Sequence, residues 1–188
     1  MDVEAVLLTG GASRRMGHDK ASLLVDGTTL AERTAGELLG AGYGVTVLGQ
    51  KQIQGCSFLA DEEEYQGPLI ALARFSPTKP WVFVASCDMP LFDSRVVALL
   101  REKALTSQAV VLEIAGHLQP LCSLYASSIF GLMREAVKDD ERSIMRLIKS
   151  IDCQVLSEKD LADAGISPLS VTGVNTPEEL QQLLSKKT

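Results

Sequence analysis

Residues 3–9, Val-Glu-Ala-Val-Leu-Leu-Thr, form a short apolar run that stops at a glycine pair, Gly10-Gly11. No other stretch restricts the fold as much. A run this short and this apolar reads as a strand buried on both faces, which belongs to a parallel sheet covered by helices. Ligands of such sheets bind beyond the carboxyl ends of the strands. Here that end carries Gly10, Gly11, Ser13, Arg14, Arg15, Gly17 and Lys20 within eleven positions. Glycines let a ligand approach the main chain, and successive backbone N–H groups in such a turn form an anion nest. The hydroxyl and the cations add what a triphosphate requires. A tight turn with solvated basic residues is the plainer alternative.

Two known phosphate loops do not fit. The Walker A pattern fails because Gly17 precedes His18 and Lys20 precedes Ala21. The dinucleotide fingerprint fails because the glycines stand at 10, 11 and 17, which argues against a nicotinamide-type oxidoreductase.

The rest of the first half alternates helical and strand patterns. Helical spacing covers Thr28–Leu39, with Gly40 and Gly42 as its stop, and 68–75. Strands are expected at 45–48, 57–60 and 81–86. Further on, helices are expected at 93–104 (Asp93 or Ser94 as N-cap), 127–138 and 142–151. Strands are expected at 109–114, 121–125, 153–156 and 171–174. Thr176-Pro177-Glu178-Glu179 opens the last helix, with Thr at the cap and Pro at the first turn. Strand neighbours without a helix between them near 109–125 imply an antiparallel excursion. The expected fold is α/β: a Rossmann-like, mostly parallel sheet with helices on both faces, in one domain over residues 1–188.

Charge narrows the partners. A net charge of −6 leaves no basic excess for a nucleic-acid backbone, so an anionic ligand needs a local cluster of cations. The acidic start, Met1-Asp2-Val3-Glu4, lacks the basic region of a signal peptide, and no apolar run approaches the ~20 residues of a membrane span. A cytoplasmic protein is expected, with no nucleic-acid or membrane partner. Cys56, Cys87, Cys122 and Cys153 form no C-x-x-C pair and read as reduced, mostly buried thiols rather than a zinc site.

A second chemical signal lies at Ala85-Ser86-Cys87-Asp88-Met89-Pro90, where a buried strand runs into a carboxylate and a proline. Asp88 is expected at the same sheet edge as Gly10. A carboxylate beside a triphosphate is repulsive unless a cation bridges them, and Mg²⁺ takes one or two carboxylates plus phosphate oxygens. Asp88 could equally cap the turn before Pro90. Asp61, between an apolar stretch and Gly67-Pro68-Leu69, reads as a ligand contact, a metal ligand or the start of a loop. His18 reads as a solvated loop residue and His117 as a turn residue.

Taken in order, these residues resemble a known family. Leu8-Thr9-Gly10-Gly11-Ala12-Ser13-Arg14-Arg15-Met16-Gly17-His18-Asp19-Lys20 is similar to the signature loop of the molybdenum cofactor guanylyltransferases (MobA), small nucleotidyltransferases. Asp61 with Gly67-Pro68-Leu69 and Cys87-Asp88-Met89-Pro90 resemble later family motifs. So do Gln119-Pro120-Leu121 with Tyr125, and Asn175-Thr176-Pro177-Glu178-Glu179-Leu180. The resemblance covers nearly the whole chain. It implies a fold like that of the nucleotide-diphospho-sugar transferases and transfer of GMP from GTP to the terminal phosphate of molybdenum-molybdopterin, with release of pyrophosphate. It further implies nucleotide contacts at Leu8, Thr9, Gly10, Gly11, Ser13, Lys20, Asp61 and Asp88, catalytic roles for Arg15, Lys20 and Asp88, and Mg²⁺ on Asp88. Proteins that deliver or receive the cofactor would be partners.

Three residues depart from the family pattern. Thr9 replaces the usual alanine, Ala71 replaces a frequent glycine, and Leu48 stands where some members carry a nucleotide-contacting asparagine. Leu48 therefore leaves base selectivity open. The competing readings are a cytidylyltransferase or another nucleotidyltransferase of the same fold, and a non-catalytic GTP-binding module.

Overall fold

The computed structural model describes residues 2–10, 23–62 and 67–186. The glycine-rich loop from Gly11 through Lys20, and with it Ser13, Arg14, Arg15 and His18, lies outside the described residues.

The first strand, β1 (Val3–Leu8), is buried along its whole length because strands flank it on both sides. A hairpin absent from the sequence expectations follows: β2 (Leu24–Val25) and β3 (Thr28–Thr29) turn through Asp26-Gly27. Thr28 therefore lies in a strand, and the first helix, α1 (Leu30–Gly40), begins at Leu30. Thr29 caps it in a reciprocal box with Glu32.

Next come β4 (Val45–Gly49), β5 (Ser57–Ala60), α2 (Pro68–Ala73) and β6 (Trp81–Ser86). Gly67, at φ 95°, forms the N-cap of α2, and Pro68 occupies its first turn. A side chain is strained at that φ, and proline suits that turn, which explains the Gly-Pro-Leu order.

The second half contains α3 (Arg95–Lys103), β7 (Ala109–Ile114), β8 (His117–Ala126), α4 (Ile129–Lys138), α5 (Ile144–Ser150) and β9 (Cys153–Ser157). A short α6 (Glu158–Asp163), a 3₁₀ turn at Pro168–Val171 and α7 (Pro177–Ser185) complete it. Ser94 is the N-cap position of α3, but the side chain that caps its first turn is Asp93, whose Oδ1 accepts from the Arg95 N–H.

Seven strands form one sheet in the order β5-β4-β1-β6-β8-β7-β9. All pairs are parallel except those of β8, which runs antiparallel to both β6 and β7. This is the antiparallel excursion expected near 109–125. Alternate residues of the inner strands feed two cores. One lies under α1, α3 and α6, with Ala5, Leu7, Phe83, Leu38, Val97 and Leu161. The other lies under α2, α4 and α5, with Val6, Val84, Leu72, Phe130 and Ile148.

At the opposite sheet edge Glu4, 9% exposed, accepts from the Thr78 N–H and hydroxyl and from the Lys79 N–H, at 2.5, 2.9 and 2.8 Å. A buried carboxylate is tolerable here because three donors satisfy it.

Two expectations are corrected. Residues 171–174 are not a strand: Val171 ends the 3₁₀ turn, and Val174 is buried against Val25, Leu30 and Leu180 beside the sheet. Its β-branched, apolar pattern is satisfied by packing rather than by a ladder. His117 is not a turn residue but the first residue of β8. The turn is Ala115-Gly116, both at positive φ (50° and 76°), as a two-residue hairpin of this hand requires.

Candidate active site

Sheet register brings the expected residues that are described, Leu8, Thr9, Gly10, Asp61 and Asp88, to one edge. Leu8 pairs with Ser86 across β1 and β6, and with Leu48 across β1 and β4. Gly10 and Asp88 each lie two residues beyond that Leu8–Ser86 pair. The strand order reverses between β1 and β6, so both stand at the topological switch point, where open α/β sheets bind ligands.

The β1 end is locked to its neighbour. The Thr9 N–H and hydroxyl both donate to the Leu48 carbonyl, at 3.0 and 3.2 Å. Leu8 is 6% exposed and Leu48 2%, and both side chains lie in the core under α2. Leu8 thus offers a ligand only its main chain, and Leu48 offers no side-chain contact.

Asp61 follows β5, two strands away from β1, and its N–H donates to the Gly49 carbonyl at 2.9 Å. Its carboxylate reaches across the end of β4 to Gly10. A methyl group on Gly10 would fall 2.7 Å from Asp61 Oδ2, and one on Gly49 would fall 2.0 Å from Thr9 Oγ1 and 3.2 Å from the Gly10 nitrogen. Glycine at both positions lets three strand ends crowd together. Gly49→Ala is expected to cost about 1–3 kcal/mol of stability through overpacking. Replacing Thr9 by alanine, the usual family residue, should recover part of that loss, and melting of the two single variants and the double variant measures it.

Burial raises the Asp61 carboxyl above its ordinary value, and Arg74, the smaller influence, opposes this. A raised native-state value means that the native state holds this proton more tightly than the unfolded chain. The charged group therefore costs stability above the native-state value, and the cost disappears below the unfolded value. Asp61→Asn should melt slightly higher than the wild type at pH 7, and the difference should vanish as pH falls below the ordinary carboxylate range. The same desolvated anion, facing Gly10, suits a contact with hydroxyl or amino groups of a nucleotide.

Asp88 is held by two hydrogen bonds, and Gly173 passes beside it. Ser86 Oγ donates to its Oδ1 at 2.5 Å, and the Val174 N–H donates to its carbonyl at 2.8 Å. A methyl on Gly173 would sit 3.5 Å from its Cγ and from both carboxylate oxygens. The segment after the 3₁₀ turn thus crosses to the β6 end. From there Thr176 caps α7 by accepting from the Glu179 N–H, while Glu179 Oε2 accepts from the Asn175 N–H. Ser86, Gly49 and Gly173 escaped the sequence reading. Ser86 had a signal, a hydroxyl closing an apolar strand, whereas the other two act only through contacts distant in sequence.

A cavity of about 420 Å³ opens beside Asp88, walled by Ser86 and Met89 on one side, Gln119 and Pro120 of β8 on another, and Thr172 and Asn175 on a third. Cys122 lines it as well. Burial above all, and then the Asp88 charge, pushes the Cys122 thiol far above its usual range, so it stays neutral. His117 lies at the same cavity. Among the described residues no three His, Cys, Asp or Glu side chains converge to hold a metal. The donor set that does exist, one hard carboxylate at the switch point, suits a cation that completes its shell with phosphate oxygens and water, as Mg²⁺ does.

A MobA-like NTP transferase domain matches residues 5–155. The chain belongs to that family. As a member of the MobA-like NTP transferases it is a nucleotidyltransferase. A probable molybdenum cofactor guanylyltransferase of Nostoc sp. is 30% identical, over 95% of this chain and 89% of the relative. One of Bacillus subtilis is also 30% identical, over 96% and 94%.

Among solved structures, molybdopterin-guanine dinucleotide biosynthesis protein A from Archaeoglobus fulgidus superposes with a TM-score of 0.79 at 21% identity, covering 98% of this chain and 100% of that one. The 2-C-methyl-D-erythritol 4-phosphate cytidylyltransferase from Thermus thermophilus gives 0.70 at 17%, covering 97% of both. At these identities the two structures establish a shared fold. Among the described residues no helix is long and apolar enough to cross a membrane.

Proposed function

We propose that this MobA-like transferase moves GMP from GTP to the terminal phosphate of molybdenum-molybdopterin in the cytoplasm, forming the guanine dinucleotide cofactor and pyrophosphate. The observation that carries this reading is the position of Asp88. It lies two residues beyond β6, next to the β1 end, and lines a cavity of about 420 Å³. In this reading one carboxylate serves both a nucleotide at the β1 end and an acceptor in the cavity. The names of the relatives supply the base and the acceptor.

An acceptor phosphate oxygen attacks the α-phosphorus, the new P–O bond forms, the bond to the bridging oxygen breaks, and pyrophosphate leaves. A phosphate monoester has its second pKa near ~6, so at neutral pH its oxygen is already an anion and no protein base is required. The chain's two histidines are not called upon. Catalysis is positioning plus charge compensation. In this reading the main chain at Leu8, Thr9, Gly10 and Gly11, with the Ser13 hydroxyl, cradles the nucleotide, and Asp61 contacts its sugar or base. Arg15 and Lys20 offset the charge that develops on the α-phosphate and the departing pyrophosphate. Asp88 would hold Mg²⁺, which when bound supplies Lewis-acid neutralisation of phosphate oxygens.

The direct test supplies the molybdenum-molybdopterin acceptor, Mg²⁺ and each nucleotide triphosphate in turn, and identifies products by mass. The guanine dinucleotide from GTP is the expected product. A cytosine dinucleotide formed in preference to it would replace the guanylyl reading.

A further inference from the structure

β8 lines the cavity with four residues in a row, Gln119, Pro120, Leu121 and Cys122. Alternation holds at the end of this run, where Leu121 packs against the core under α2, α4 and α5 and Cys122 belongs to the core under α1, α3 and α6. Before it the ladder to β7 is interrupted. Against β7, Ser123 pairs with Val111 and Gln119 with Leu112, so residues 120–122 have no β7 counterpart and bulge out. Pro120 favours this, since it has no N–H to give to a ladder.

A bulge leaves carbonyls without ladder partners, and such groups are costly when buried. Two hydroxyls, two residues apart on one face of β8, close the gap. Ser123 Oγ donates to the Gln119 carbonyl at 2.6 Å, and Tyr125 Oη donates to the Pro120 carbonyl at 2.9 Å. Both residues are fully buried, and the Tyr125 ring packs in the core under α4 and α5. Gln119 is fixed once more by its own Nε2, which donates to the His117 carbonyl at 3.1 Å.

We infer that Ser123 and Tyr125 are positioning residues for the acceptor. Their hydroxyls staple the bulge into the shape that presents Gln119 and Pro120 to a bulky phosphorylated heterocycle. The inference rests on the guanylyl-transfer reading above, and it explains the tyrosine that accompanies Gln119-Pro120-Leu121. Neither hydroxyl touches substrate, and β8 lies on the far side of β6 from the β1 end, so nucleotide binding should be indifferent to them.

The test is steady-state kinetics on the whole protein with GTP and molybdenum-molybdopterin varied separately, alongside thermal melting. Tyr125→Phe deletes only a hydroxyl and keeps the ring. It should raise KM for the acceptor about tenfold, the equivalent of one lost hydrogen bond, with KM for GTP unchanged. Ser123→Ala should do the same. A lower melting temperature with both KM values unchanged would overturn the inference and leave the staple purely structural. A parallel rise in both KM values would overturn it too, as a general loosening. Absence of product from the wild type itself would reject the guanylyl reading and this inference with it. Product from the wild type, with equal acceptor KM in the variants, would reject the inference alone.

Discussion

Asp88→Asn is expected to abolish dinucleotide formation, to below about one part in a thousand of the wild-type rate, without unfolding the protein. Asparagine keeps the volume and an Oδ1 that can still accept from Ser86 Oγ. The main-chain bond from Val174 to the residue 88 carbonyl does not depend on the side chain. What disappears is the negative charge at the switch point. Melting should therefore match the wild type closely while the mass-detected product vanishes, and added Mg²⁺ should no longer strengthen GTP binding. Turnover near the wild-type level in this variant would remove the metal role from Asp88.

Lys20→Ala should lower kcat by on the order of 10²–10³, the usual loss when one donor to developing charge is removed. Arginine at this position should restore only part of the rate. A planar fork reaches phosphate oxygens differently from a compact ammonium group. Single-turnover measurement with saturating GTP separates this loss from weaker binding. A wild-type rate for Lys20→Ala would place the phosphate charge elsewhere in the loop, with Arg15 next to be substituted.

The two substitutions probe opposite signs of one arrangement. A strand end rich in glycine and cations is out of place in a protein of net charge −6 until the β6 end is set beside it. In the proposed mechanism the cations serve the phosphates, and the carboxylate serves the ion between them.

Much of this was legible locally. β1, β6 and β7 follow from short apolar runs bounded by glycine, proline or polar turns, because burial on both faces removes the need for alternation. The start of α7 was readable from Thr176 and Pro177, whose cap and first-turn roles depend only on neighbouring residues. Asp88 and Asp61 could be assigned to strand ends for the same reason.

Other features lie beyond local pattern. The β2–β3 hairpin has only two residues per strand, too few to show a period. β8 is ten residues long, yet the sequence suggested only 121–125. Pro120 and the polar His117 and Gln119 obscure the rest, and the carbonyls of the bulge are satisfied by hydroxyls four and five residues away. At residues 171–174 the composition suggested a strand, but the chain there has no ladder and serves as a strap.

The sequence by itself determined the class of fold, the edge of the sheet that carries the chemistry and the identity of its charged groups. Each of these depends on residue type and spacing within a dozen positions. Tertiary structure alone decided what those groups meet. Asp61 reaches Gly10 over Gly49, the loop at Gly173 closes on Asp88 from 85 positions away, and the interrupted stretch of β8 walls the cavity beside Asp88. Those are contacts between distant parts of the chain. They exist only because parallel strands bring their carboxyl ends to one edge, and no short window of sequence contains both partners.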